Sequence, residues 1–195
     1  ILDKKDYPKK EAKPSKVYES IKDLFDKLDL KDGITVSSHH HLRNGDAVLN
    51  MMMLELQRRG VKNITLVASS LFPVHKELIP LLEDGTITNI ITSYISGDLA
   101  KAISKGKLKG KILMQSHGGR ARSIIDKDVV IDYAFIAAPS CDPMGNISGV
   151  NGEASCGSMG YAIADAIYAK KKIAITDTIV DYPNYPSDIT EDYVD

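Results

Sequence analysis

Three stretches of this chain combine residue types that could recognise an anion. The first is residues 37–46 (SSHHHLRNGD), where three histidines, Arg43 and an Asn44-Gly45 turn directly follow an apolar segment. If Asn44 or Asp46 caps a helix after that turn, its unpaired N–H groups and partial positive charge would suit a phosphate or carboxylate. His40 and Arg43 would add donors in the same loop. The run lies inside the chain, so it is not a terminal affinity tag. A metal site is not expected, because neighbours on an extended strand point to opposite faces and only His39 and His41 could converge. The histidines can equally be packing and turn residues of a surface loop.

The second stretch is residues 115–122 (QSHGGRAR). Gly118 and Gly119 permit close backbone approach, Arg120 and Arg122 supply charge, and paired charge-assisted bonds from arginine are a common means of holding a carboxylate. A solvated turn with two surface arginines is the alternative. The third, residues 139–157 (PSCDPMGNISGVNGEASCG), is long, Gly-rich and threaded with apolar residues. Long loops in small domains are usually functional or disordered, and the apolar residues argue for order. Asn146, Asn151, Gly152 and Glu153 are its candidate contacts. Glu153 could act as nucleophile or acid, or serve only as a hydrogen-bonding strut or helix cap.

These loops need elements to hold them, and the pattern supplies strands alternating with helices. Val17, Ile21, Leu24, Phe25 and Leu28 form one helical stripe, with Ser15 as a possible N-cap. Leu49, Met52, Met53 and Leu56 mark a second helix from about Asp46 to Arg59, closed by Gly60. Residues 73–85 (PVHKELIPLLEDG) have helical period interrupted by Pro80. Short apolar runs ITVSS, NITLVASS, TITNIITSYI, GKILMQ, DYAFIAAP and KKIAIT read as strands. Such alternation predicts an α/β domain over residues 17–182, with a mostly parallel sheet and helices on both faces. Residues 1–16, with their lysines and prolines, read as an extended arm. Residues 183–195 read as a connecting segment toward a missing second half.

Composition narrows the function. At 195 residues the chain supports one sizeable core. A net charge of −1 gives no nucleic-acid footprint. No apolar run approaches the roughly 20 residues that span a bilayer, and the Lys-rich start is unlike a signal peptide. Cys141 and Cys156 match no zinc or redox spacing and read as free thiols of a reducing cytoplasm. From the residues alone, the reading stops at an α/β protein for a polycarboxylate, phosphate or thioester-type substrate.

The same loops resemble the alpha chains of citrate lyase. The likeness is carried by SSHHHLRNGDAVLN, QSHGGRARSI, AAPSCDPMGNISGVNGEASCGSMGYA, IAITD and YPNYP, and runs from about Val17 to the end. It implies a NagB/RpiA/CoA-transferase-like fold and a citrate CoA-transferase. Such an enzyme exchanges acetate for citrate on the thioester of an acyl carrier protein; a separate lyase subunit then cleaves the citryl thioester. It implies no metal and no tightly bound cofactor, the phosphopantetheine-type thioester being delivered by the carrier or by CoA. Partners implied are the carrier protein, the lyase subunits, citrate, acetate and the second half of the same chain. Other CoA-transferases use a glutamate of the second half as nucleophile, whereas the citrate lyase group is expected to pass through a mixed anhydride. No catalytic residue is therefore assigned here. The implied attack of citrate on a thioester generates an oxyanion, for which Gly118, Gly119, Gly152 and the Asn44-Gly45 turn are suitable N–H donors. Arg43, Arg120 and His117 are the candidate partners for the remaining citrate carboxylates. Two alternatives on the same fold are a sugar-phosphate isomerase, which needs an acidic base beside a phosphate loop, and a ligand-sensing domain. A sensor would adjoin a basic helix-turn-helix, and neither flank offers one.

Overall fold

The computed structural model describes residues 14–39 and 47–195. The first helix, α1 (Ile21–Asp26), starts later than its apolar stripe suggests. Ser20 is the N-cap, its Oγ accepting from the Asp23 amide at 3.1 Å, and Val17 lies outside the helix, half exposed. Ser15 instead donates to the Pro143 carbonyl. The chain continues through β1 (Thr35–His39) to α2 (Val48–Arg58), where Leu49, Met52, Met53 and Leu56 are all buried as their spacing predicts. Gly60 follows the helix with φ +78°, a left-handed conformation that glycine adopts at no steric cost.

After β2 (Ile64–Ala68), Pro80 divides the next helical segment as expected. A 3-10 turn, Pro73–Leu78, leads into α3 (Ile79–Glu83), with Pro80 in the first turn where its missing N–H costs no helix bond. Then come β3 (Ile87–Thr92), α4 (Gly97–Ser104) and β4 (Ile112–Met114). Next are α5 (His117–Ile125), β5 (Tyr133–Ala137) and a short hairpin of β6 (Ser140–Cys141) and β7 (Ile147–Ser148). Last are α6 (Ala162–Tyr168) and β8 (Lys171–Ile175).

Six strands form one parallel sheet in the order β4-β3-β2-β1-β5-β8. The chain winds outward from β1 to β4, returns to the other side of β1 at β5, and continues to β8. Strand order thus reverses between β1 and β5, where open α/β sheets leave a crevice beyond the strands' carboxyl ends. Alternating side chains divide the core between the two faces. Val36, Leu66, Tyr133 and Phe135 pack with Leu24, Phe25, Met53, Leu56 and Leu82 from α1, α2 and α3. Ile136 and Ala134 turn the other way, toward residues from α6, the hairpin and α5.

The third candidate stretch is ordered, as its apolar residues suggested, and contains the β6–β7 hairpin. Residues 183–195, expected as a connecting segment, fold back onto it. Ile189 and Val194 are buried there, and the Ile147 amide donates to the Ile189 carbonyl at 2.8 Å. The end of the expected arm joins this region too, because Lys16 Nζ donates to the carbonyls of Glu191 and Val194.

Candidate functional site at the strand-order reversal

Three elements bring rings together at the carboxyl end of β1. His39 is the last residue of β1, His117 the first of α5, and Tyr161 the residue preceding α6. The Tyr161 ring lies 5.6 Å from His117 and 6.4 Å from His39, centroid to centroid, and meets His39 edge-on at 82°. His117 is exposed and Tyr161 is 43% exposed, so this cluster faces solvent. Tyr161 lies between the third stretch and α6, and nothing in its local sequence distinguishes it from a core aromatic. Only the crossover of α5 above the sheet brings it beside His117.

The second candidate stretch is mostly helix. Ser116, extended at φ −70° and ψ 161°, is the N-cap of α5, and its Oγ accepts the Gly119 amide at 3.0 Å. The Gly119 N–H is therefore taken by the cap and is not a donor for an oxyanion. Gly118 differs. Its N–H has no partner among the described residues, and a Cβ there would meet nothing within 4 Å. Among the described residues, the helix N-terminus thus leaves that amide open beside His117.

Arg120 corrects another expectation. It is 1% exposed, and its guanidinium grips Asp165 of α6 through Nη2–Oδ1 at 2.9 Å and Nη1–Oδ2 at 3.1 Å. Nη2 also donates to Ser37 Oγ at 2.6 Å, and Ser37 Oγ donates to Asp165 Oδ1 at 2.5 Å, closing a triangle. A buried guanidinium is tolerable only when paired and hydrogen-bonded. Arg120 is therefore an internal strut between β1, α5 and α6, not a cation open to a substrate carboxylate.

Asn146 and Asn151 are also engaged internally. Asp142, nearly buried, accepts from the Met144 amide (2.9 Å), the Asn146 amide (3.1 Å), Asn146 Nδ2 (2.8 Å) and the Asn184 amide (2.9 Å). Burial pushes this carboxyl's pKa upward, but those donors outweigh it and hold it below the usual range. Asn146 Oδ1 accepts the Glu191 amide at 2.9 Å, and Asn151 Nδ2 donates to Asn184 Oδ1 at 2.9 Å. Asn184, 2% exposed, is the hub that sequence reasoning missed. Gly152 has φ +91°, and a Cβ there would stand 2.4 Å from the Pro139 carbonyl oxygen, so backbone shape dictates the glycine. Glu153 is exposed and makes no hydrogen bond or ion pair among the described residues. His40, Arg43, Asn44 and Gly45 lie outside the described residues.

A separate cavity of about 200 Å³ lies beside β8, lined by the chain before α1, residues 141–145 and the chain's end. Cys141 lines it, and burial pushes that thiol up to about 12, leaving it neutral. None of the three rings borders this cavity. The ring cluster is the better candidate for chemistry, because it stands at the strand-order reversal with polar groups from three elements. Among the described residues, no group of three histidine, cysteine or acidic side chains could hold a metal ion. No helix among them is long and apolar enough to cross a membrane.

Comparison with known proteins adds a second line of evidence. The family model described as citrate lyase, alpha subunit (CitF), matches residues 14–195. The citrate lyase alpha chain of Haemophilus influenzae is 41% identical over 184 residues, covering 94% of this chain but 37% of the relative. The crystal structure of the alpha subunit of citrate lyase from Streptococcus mutans, solved in complex with citrate, matches with a TM-score of 0.90 and 43% identity. That match covers 97% of this chain and 37% of the solved one. An acyl-CoA transferase from Escherichia coli shares the fold at 11% identity and a TM-score of 0.65, covering 88% of this chain and 44% of its own. This chain spans little more than a third of the length of the citrate lyase alpha chains it matches.

Proposed function

The chain belongs to the citrate lyase alpha-subunit family, and we propose that it forms part of a citrate CoA-transferase within a longer protein. The observation that carries this reading is the family match across residues 14–195. The open ring cluster at the strand-order reversal is consistent with it. The substrates are acetyl thioester on an acyl carrier protein and free citrate, and the products are citryl-carrier and acetate. A lyase subunit of the same complex, in the cytoplasm, then consumes the citryl thioester.

In this reading a citrate carboxylate oxygen attacks the acetyl carbonyl, and the carrier thiolate leaves, giving a mixed anhydride. The thiolate returns to the citryl carbonyl and acetate departs, so the thioester is conserved without an external energy source. Each attack raises negative charge on a carbonyl oxygen, where a preorganised N–H donor in a water-poor site is most effective. The Gly118 amide, without a partner among the described residues and at the positive end of α5, suits that task. His117, His39 and Tyr161 form the wall against which the acyl groups are held, and the His117 imidazole can donate to a citrate carboxylate. The remaining cationic partners come from Arg43 and from the rest of the longer chain.

The test is full-length protein incubated with acetyl-carrier and citrate, with mass spectrometry of the carrier. We expect the citryl adduct from the full-length protein and none from the 195-residue chain alone. An unmodified carrier from the full-length protein would reject the transferase reading. Citryl-carrier from the short chain at the full-length rate would mean that the site is complete within it.

A further inference from the structure

The buried triangle and the exposed rings repeat one another across the same three elements. Ser37 is two residues before His39 on β1, and a spacing of two places both side chains on one face of a strand. Arg120 is three residues after His117 on α5, a spacing that aligns side chains along a helix. Asp165 is four residues after Tyr161, the residue that opens α6, and the same alignment applies. Each ring therefore stands one structural repeat above one member of the triangle. The triangle is closed by four contacts of 2.5–3.1 Å, and Arg120 and Asp165 are each 1% exposed. A bidentate guanidinium–carboxylate pair fixes angle as well as distance, which apolar packing between the same elements would not do.

We infer that Ser37, Arg120 and Asp165 are positioning residues that set the His39–His117–Tyr161 geometry by locking β1, α5 and α6 one repeat below it. The inference that this matters for turnover rests on the transferase reading; the inference that it holds the rings does not. Loss of the clamp lets α5 rotate or slide relative to α6, which carries His117 and the Gly118 amide away from Tyr161. Displacements on the order of 1 Å at a reacting centre can cost about a hundredfold in rate.

The informative variant is the full-length protein carrying Arg120→Met and Asp165→Leu together. Replacing a whole buried ion pair by apolar side chains removes its direction without leaving a lone buried charge, so the fold persists. Histidine-selective isotope labelling reports the His117 ring resonance, which the nearby Tyr161 ring shifts; His117→Ala assigns it. We expect the double variant to lose that shift, with kcat lowered about tenfold to a hundredfold and KM for citrate changed far less. Arg120→Lys, which keeps charge without the fork, should give an intermediate shift and rate. Ser20→Ala, which weakens α1 away from the rings, should keep both the shift and kcat. An unaltered His117 resonance in the double variant would refute the positioning role, whatever the activity. A lost resonance shift in a full-length protein that forms no citryl-carrier even as wild type would leave the clamp intact and reject the transferase reading instead.

Discussion

Asp165 and Asp142 are both almost wholly buried, yet their carboxyl oxygens are satisfied in opposite ways. Asp165 meets a guanidinium and a hydroxyl from two other elements. Asp142 meets no cation among the described residues and is surrounded by four N–H donors, three of them backbone. The first arrangement joins rigid elements whose positions the sheet already restricts. The second shapes an irregular segment, because backbone amides can converge on one carboxylate only if the chain bends around it. A cation couples elements; a ring of amides gives a loop its conformation. The difference places the ring cluster above the first and the anchoring of residues 183–195 around the second.

The largest effect should come from breaking the ion pair on one side only. Asp165→Leu leaves Arg120 charged and buried, and we expect a loss of about 3–5 kcal/mol in urea unfolding. Adding Arg120→Met should restore most of it. A double variant no more stable than the single one would mean that the triangle is held by the hydroxyl and packing rather than by charge balance.

Asp142 should be next. Asp142→Ala strands four donors, for an expected loss of about 2–3 kcal/mol, and no second substitution can repair it because most of those donors are main chain. This site also titrates. Its folded pKa lies below the unfolded value of about 4, so its contribution is fully present above that pH and fades as pH falls through the folded value. Asp84, held at about 2 despite burial by Gln57, Thr86 and Lys62, acts in the same direction, though its partial exposure weakens the effect. Unfolding curves from pH 7 to pH 2 should therefore fall less steeply for Asp142→Asn than for wild type. Parallel curves would show that the carboxylate's charge is not what the amides stabilise.

The smallest effect calibrates the other two. Ser20→Ala removes an exposed cap of α1 whose freed amide can turn to water, and about 1 kcal/mol is expected by the same unfolding measurement. A loss as large as that of Asp142→Ala would mean that burial is not what separates the two classes of hydrogen bond.

Much of the architecture was legible without coordinates, for local reasons. The α2 stripe and its Gly60 stop, the division at Pro80 and the apolar strand runs each depend on residues within one or two turns of one another. Errors arose where two local signals competed. Ser15 is the expected cap of α1, but Ser20, three residues before Asp23, takes the bond. The stretch QSHGGRAR looked like a loop because glycine disfavours helix, yet Ser116 caps a helix that includes both glycines. For the site, the sequence pointed to the strand-to-helix loops but not to which charges the fold would engage internally. It named His117 and Gly118, which remain open among the described residues, beside Gly119, Arg120 and Asn146, which are engaged.

By itself the sequence determined the alternating elements, the parallel sheet and, through its loop motifs, the family. Tertiary structure alone decided which side chains face solvent together. Arg120 finds Asp165 at a separation of 45 residues and Ser37 at 83, while Ser37 finds Asp165 at 128. No periodicity operates over such distances. Whether an arginine serves a substrate or a strut depends on what the fold packs against it, because a buried charge must be matched by partners that only chain crossing supplies.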